Sequence, residues 1–213
     1  MKKSQTRRIL MLLGCAVLLV CLSVGATLAY LTSTDSVSNT FTVGNVQIKL
    51  DEAKANANGT LVEGADRVKA NTYHLLPGHT YNKDPMVTVL ANSEECYIRM
   101  IVTINEKNDL DAIGVNTLAV FNGYDSTKWA LASQKEGGAD NMVYEFRYHT
   151  TVSTVDKADK PLEPLFEKMI IPGNITNDQL TTLAGLQIDI VAQAIQADGF
   201  GTADAAWTAF EAQ

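Results

Sequence analysis

The sequence predicts an all-β protein, a β-sandwich or barrel with a few short helices. Three observations carry this. Several segments alternate apolar and polar residues with a period of two, the pattern of a strand with one buried face. Turn signals built from Gly, Pro and Asn separate them. No strand-like segment alternates with a long helical one, which argues against a parallel α/β sheet.

In order along the chain, Phe41 and Val43 alternate with threonines, Gly44-Asn45 interrupts, and Val46, Ile48 and Leu50 alternate with Gln47 and Lys49. This reads as two short strands joined by a turn or bulge. Residues 51–66 are rich in Ala, Asn and Gly without periodicity and read as a surface loop. Pro77-Gly78 marks a turn, and Met86 to Leu90 a strand whose leading Pro85 suits an edge or a first position. Cys96, Ile98, Met100, Val102 and Ile104 share one face of a clear strand. A helical turn is expected at Asn108 to Ile113. Weaker strand signals follow at Val120-Phe121 and at Trp129 to Leu131, joined through Asn122-Gly123. Met142, Tyr144, Phe146 and Tyr148 form the inward face of another clear strand, and Leu165 to Ile171 a further one closed by Pro172-Gly173. Thr176 and Gln179 have capping-box spacing, so Asn177 to Leu183 reads as a short helix. Leu186, Ile188 and Ile190 begin a long final strand. Thr202 caps a C-terminal helix with Ala206, Trp207 and Phe210 on one side, packed against the sheets.

The N-terminus has a different character. Lys2, Lys3, Arg7 and Arg8 precede an apolar run from Ile9 to Leu22, and Gly25-Ala26-Thr27-Leu28-Ala29 follows with small residues at the cleavage spacing. That is the layout of a secretory signal peptide over residues 1–29, cut between Ala29 and Tyr30. The run is shorter than the roughly 20 residues of a membrane span, so cleavage is favoured over an uncleaved anchor. Residues 30–213 are then a single β-sandwich domain. The whole chain carries 17 Lys and Arg against 24 Asp and Glu, a formal charge of −7. Four of those bases and none of the acids lie in residues 1–29, so 13 face 24 afterwards and the charge becomes −11. Such an acidic chain has no use for a nucleic-acid partner. Of the three cysteines only Cys96 remains, so no internal disulfide is expected and the fold rests on a hydrophobic core.

The stretch from Gly25 to Val46 closely resembles the leader and mature start of the TasA/camelysin family, exported Gram-positive proteins processed by the dedicated signal peptidase SipW. Leu76-Pro77-Gly78-His79 followed by Met86-Val87-Thr88-Val89 is similar to the family's Pro-Gly turn before a strand. Ala194 to Phe200 with Trp207 is similar to the C-terminal end of related exported proteins. The resemblance implies a jelly-roll β-sandwich. It also implies a secreted subunit or accessory component of biofilm-matrix fibres, self-associating or joined to related matrix proteins by β-strand complementation. The donor segment would be residues 30–46, with Val37, Phe41, Val43 and Val46 making the contact. After cleavage no stable membrane anchor would remain, and the end of the chain shows no sorting motif, so attachment would be non-covalent or through assembly.

Enzymatic chemistry finds little footing. His74, His79 and His149 are scattered and lack the spacing of a zinc helix. A camelysin-like metallopeptidase is therefore the alternative reading, not the leading one. Cys96 follows Glu94-Glu95, which disfavour a thiolate, and lies in the apolar phase of its strand, so it reads as a small core residue. Asp51-Glu52, Asp109 with Asp111, and Asp156 with Asp159 lack calcium-loop spacing and read as solvated loop charges. No catalytic residue, metal or cofactor is expected. A third reading, an adhesin or surface binding module, would need an aromatic platform, and Tyr144 and Tyr148 lie on the core face instead.

The charge of −11 predicts that acid promotes assembly, because subunits repel less as carboxylates protonate. Electron microscopy of residues 30–213 should show more filaments at about pH 5 than at about pH 7; equal assembly would count against the electrostatic argument.

Overall fold

The computed structural model describes residues 5, 11–16, 44–121, 123–138 and 140–212. The chain divides into two compact units, Met1–Thr42 and Val43–Gln213. Of the first, residues 5 and 11–16 are described and helical. Among the described residues no helix is long and apolar enough to cross a membrane.

The second unit is built on a nine-residue strand, β4 (Cys96–Ile104). Its inward residues Cys96, Ile98, Met100, Val102 and Ile104 are all buried, as the alternation requires. On one side β4 pairs antiparallel with β6 (Met142–Tyr148), which pairs with β5 (Trp129–Glu136). On the other it pairs with β9 (Ile188–Gln196), giving the order β5-β6-β4-β9. A three-stranded sheet holds β1 (Ile48–Asp51), β3 (Met86–Val89) and β7 (Lys160–Pro161) in the order β1-β3-β7. A two-stranded sheet pairs β2 (Thr80–Asn82) with β8 (Lys168–Ile170). Residues of all three sheets join one hydrophobic core. The expected all-β class with few short helices is what the structure shows. The pairings do not by themselves spell out jelly-roll connectivity, since the second layer is divided between two small sheets.

Three expectations are corrected or narrowed. Val120-Phe121 is no strand: it ends a 3-10 helix at Thr117–Phe121, whose buried Phe121 stacks on Phe166 at 4.3 Å. Two adjacent apolar residues carry no periodicity, and a buried helical turn hides them as well as a strand would. Of the two places expected for Pro85, the edge is excluded, because β3 is the middle strand of its sheet, while the start of the strand fits, since the proline sits directly ahead of the ladder. Residues 51–66 are not a free surface loop. Asp51 closes β1, Glu52 bridges to Val68, and Ala55 to Leu61. Gly59, at φ +81°, lies so close to the Tyr81 backbone that a Cβ there would meet Tyr81 Cα at 2.6 Å.

The helices are α1 (Lys107–Ala112), α2 (Asn177–Thr182) and α3 (Ala203–Glu211). Thr176 and Gln179 form the reciprocal capping box at α2. Thr202 accepts the Ala205 N–H at the start of α3. α3 lies on the outer face of the large sheet, where Arg99 is only 4% exposed. Its guanidinium is 4.3 Å from the Trp207 ring and 5.3 Å from that of Phe210. It donates to Gln193 Oε1 at 2.7 Å and Glu211 Oε1 at 2.9 Å. Arg147 adds an ion pair to Asp204. An arginine in the solvent phase of β4 is thus roofed by aromatic rings, a cation–π arrangement strengthened by exclusion of water.

Arg99→Ala should lower stability by about 2–3 kcal/mol through lost stacking and hydrogen bonds. Urea unfolding measures it, and the exposed Trp207 should shift the fluorescence to the red.

Candidate functional site: an open seam between two strand edges

In an antiparallel ladder the backbone groups of successive residues point to alternate sides. Asn105 N–H donates to the Gln187 carbonyl at 3.3 Å, and Ala197 N–H to the Glu95 carbonyl at 2.7 Å. These bonds set the phase: odd-numbered residues of β9 bond to β4, and Ile188, Ile190, Ala192 and Ala194 turn their N–H and C=O groups away from it. Among the described residues those groups take no backbone partner. The same four side chains face the core yet are only partly buried, although their partners on β4 are fully buried. Among the described residues, then, the far side of β9 is incomplete both in backbone pairing and in apolar cover.

β1 repeats the situation. The Leu90 N–H donates to the Gln47 carbonyl at 2.9 Å, so Gln47, Lys49 and Asp51 bond to β3 while Ile48 and Leu50 face the other way. One of those groups, the Leu50 carbonyl, accepts from the Lys69 ammonium at 2.5 Å. β1 and β9 run near each other without pairing. Beside them opens a cleft of about 1130 Å³, whose apolar walls include Leu50, Tyr73, Leu180, Leu186, Ile188 and Ile190.

The polar end of the cleft holds buried charge. Asp51 and Glu52 were expected as solvated loop acids, and the structure corrects this: both are buried, Glu52 to 5% exposure. Asp51 accepts from Arg67 Nε at 2.5 Å and pairs with Lys49 at 2.7 Å; Arg67 also reaches Asp84 at 2.9 Å. Burial alone would raise the Asp51 pKa, but the hydrogen bonds and charges of Lys49 and Arg67 outweigh it and hold the carboxyl below its ordinary value. Glu52 Oε2 accepts from Lys83 Nζ at 2.7 Å, and its Oε1 from Asn71 Nδ2 at 3.0 Å. Lys83 is itself only 8% exposed. Asn71 Oδ1 accepts the Ala55 N–H at 2.8 Å, and Nδ2 donates also to the Ala53 carbonyl at 2.9 Å. Over this group lies Tyr73, donating to the Asn82 carbonyl at 2.7 Å. Its hydroxyl pKa is driven upward by burial first and then by the charge of Glu52.

Of the residues singled out from sequence, Ala29, Tyr30, Val37, Phe41 and Val43 lie outside the described residues. Val46 is half-buried against the core just ahead of β1, beside a recess shared with Ala194 and Ile195. The histidines do not converge: His74 lines the cleft, His79 bonds the Asn58 carbonyl at 2.8 Å, and His149 the Ser126 carbonyl at 3.2 Å. Cys96 is buried, and burial followed by the neighbouring Glu95 pushes its thiol up to about 11. Asp111 pairs with Lys107, whereas Asp109 gathers with Glu106 and Asp140, their carboxylates within 4.8 Å of one another. Trp129 is buried and donates to the Glu163 carbonyl at 3.1 Å. Sequence reading missed Asn71 and Lys83. One signal was present: Tyr81, Lys83, Pro85, Val87 and Val89 form an unbroken alternate run of buried positions, with a lysine in the apolar phase.

Comparison with protein-family models, curated proteins and solved structures finds no match to this chain.

Because the folded Asp51 pKa lies below its ordinary 3.8, the ionised carboxyl stabilises the fold above that value, and the contribution is lost as pH falls through the lower folded value. Asp51→Asn should cost roughly 1.5–3 kcal/mol at neutral pH and leave a shallower loss on acidification below about pH 4. Urea midpoints across that window test both.

Proposed function

We propose that this chain is an exported structural subunit of extracellular matrix fibres, and that it accepts an extended strand from a neighbouring copy along the β1–β9 seam. One observation supports the reading: among the described residues the outward backbone groups of Ile188, Ile190, Ala192 and Ala194 take no backbone partner, and their side chains are only partly buried. An added strand satisfies both needs at once. Main-chain hydrogen bonds supply affinity, and alternate side chains entering the cleft supply register.

The donor lies within residues 30–43, because Asn45 and Val46 are held by their own chain: the Asn45 carbonyl accepts the Glu94 N–H at 2.8 Å and Val46 packs against the core. It is uncharged apart from Asp35, and its Phe41 and Val43 alternate with threonines. An apolar face of this kind suits the Leu50, Leu186, Ile188 and Ile190 walls. A contact between the N-terminus of one copy and the seam of the next does not close on itself, so it propagates as a filament. The resemblance of residues 25–46 to exported matrix proteins supports the same reading, and so does a composition without a nucleic-acid-binding charge. On this reading SipW-type cleavage after Ala29 frees the donor, and the subunit acts outside the cell.

Two variants test the seam and its donor separately. Deletion of residues 30–43 should abolish filaments seen by electron microscopy while leaving the domain folded. Ile190→Pro removes an N–H that β4 does not use, so it should block strand addition without breaking the β4 ladder. Ile190→Ala, which loses the side chain but keeps the N–H, should still assemble. Filaments forming normally from the deletion or the proline variant would sink the proposal.

A further inference from the structure

Glu52, Lys83 and Asn71 form an arrangement that a plain salt bridge does not require. The two oxygens of one buried carboxylate hold an amine and a carboxamide: Lys83 Nζ at 2.7 Å on Oε2, Asn71 Nδ2 at 3.0 Å on Oε1. The carboxamide is fixed at its other end too, since the Ala55 N–H donates to Oδ1 at 2.8 Å. A nucleophile, a carbonyl with a hydrogen-bond donor on its oxygen, and a proton carrier touching both reactants are the elements of acyl transfer to an amine.

We infer that this trio is an intramolecular isopeptide site, in which Lys83 Nζ displaces the Asn71 side-chain nitrogen as ammonia and links residues 71 and 83 covalently.

The steps balance without an external reagent. Glu52 first takes a proton from the Lys83 ammonium across their hydrogen bond, leaving a neutral amine, the only nucleophilic form. The Nζ lone pair attacks Asn71 Cγ, the Nζ–Cγ bond forms, and the oxygen gathers negative charge facing the Ala55 N–H. Glu52 gives its proton to Nδ2 and accepts one from Nζ. The Cγ–Nδ2 bond then breaks, and ammonia leaves with that electron pair. The released ammonia carries off the proton left on Glu52 as ammonium, so the carboxylate is restored. No electron is exchanged, and the amide formed replaces the amide broken. Holding both reactants on one carboxylate makes the step unimolecular, which is where its rate advantage arises. The cleft beside the trio gives ammonia a way out. Glu52 is the catalytic acid–base in this scheme, and Ala55 supplies the oxyanion contact.

The inference stands apart from the fibre reading, because it concerns one chain and is read on the monomer. The test is mass spectrometry of the purified chain, denatured and digested with trypsin. Trypsin cuts after Lys69 and after an unmodified Lys83, so an unlinked chain releases the peptide 70–83 at its sequence mass. The link predicts that this peptide is absent. In its place a longer peptide, uncut at Lys83 and running to Arg99, appears one ammonia lighter than its sequence mass, with no backbone fragments between Asn71 and Lys83. A succinimide at an asparagine also loses ammonia but leaves Lys83 cleavable, so that pattern would overturn the inference. Peptide 70–83 at full mass from the unaltered chain, after prolonged incubation at neutral pH, would overturn it as well. Lys83→Arg and Glu52→Gln should each restore full mass, and a link persisting in Glu52→Gln would remove Glu52 from the mechanism. The result for the unaltered chain decides the matter even if a variant fails to fold.

Discussion

The wall of the cleft depends on the charge of Glu52. A carboxylate 5% exposed is tolerable only if its lone pairs are occupied. Lys83, from the end of β2, and Asn71, from the long connection, both come to it. Its backbone bridges to Val68 as well, so one residue at the end of β1 gathers three distant parts of the segment from 52 to 83. Removing one partner of such a pair leaves a buried charge uncompensated, at about 3–5 kcal/mol. Arg67, bound to Asp51 and Asp84, and the buried Tyr81 hold the segment as well, while residues 60–64 are mostly exposed. Geometry at the mouth of the seam therefore follows from electrostatics at its floor.

An open edge is ordinarily a hazard, and soluble β-proteins blunt theirs with charge, bulges or cover. β5 does this: its residues from Ser133 to Glu136 are polar and exposed, and a register shift interrupts its pairing. β9 does so weakly. Asp189 and Gln196 are exposed along it, but Val191 is 53% exposed beside them. Of its five outward-bonding residues two are isoleucines, two are alanines and one is Gln196. The contrast between the two edges of one sheet gives the seam its meaning. One edge is defended against added strands, and the other presents backbone groups flanked by apolar surface.

Most of the large sheet was legible in the sequence, because β4 buries one face completely and β6 buries the centre of one, so both show the alternation. β7 was not, since Lys160-Pro161 has neither alternation nor apolar character; its pairing is supplied by β3. The alternation that buries Cys96 to Ile104 puts Arg99 on the opposite face of β4, and nothing in that alternation shows that this face is covered. The roof comes from α3, more than a hundred residues later, and strand periodicity is blind to it. The same limit applied to Asp51 and Glu52. Acidic residues at a strand end read as solvated because that is their usual state. Their partners Arg67, Asn71 and Lys83 are remote in sequence, and only Lys83 betrayed itself by falling in the apolar phase.

The isopeptide and the seam meet in a single physical argument. An acceptor cleft binds an incoming strand most tightly when its walls need no ordering at that moment. The wall formed by residues 69–76 is held in part by apolar packing of Tyr73 and Leu75 and in part by polar contacts, and the ionic ones among these weaken when salt screens the charges. A covalent bond between residues 71 and 83 holds the same wall by chain connectivity instead, which neither salt nor acid affects. The domain is strongly acidic, and on the proposed reading assembly is favoured where the repulsion between subunits falls. Replacing the ion pair at the floor by an amide would keep the acceptor formed under the conditions in which, on that reading, subunits come together.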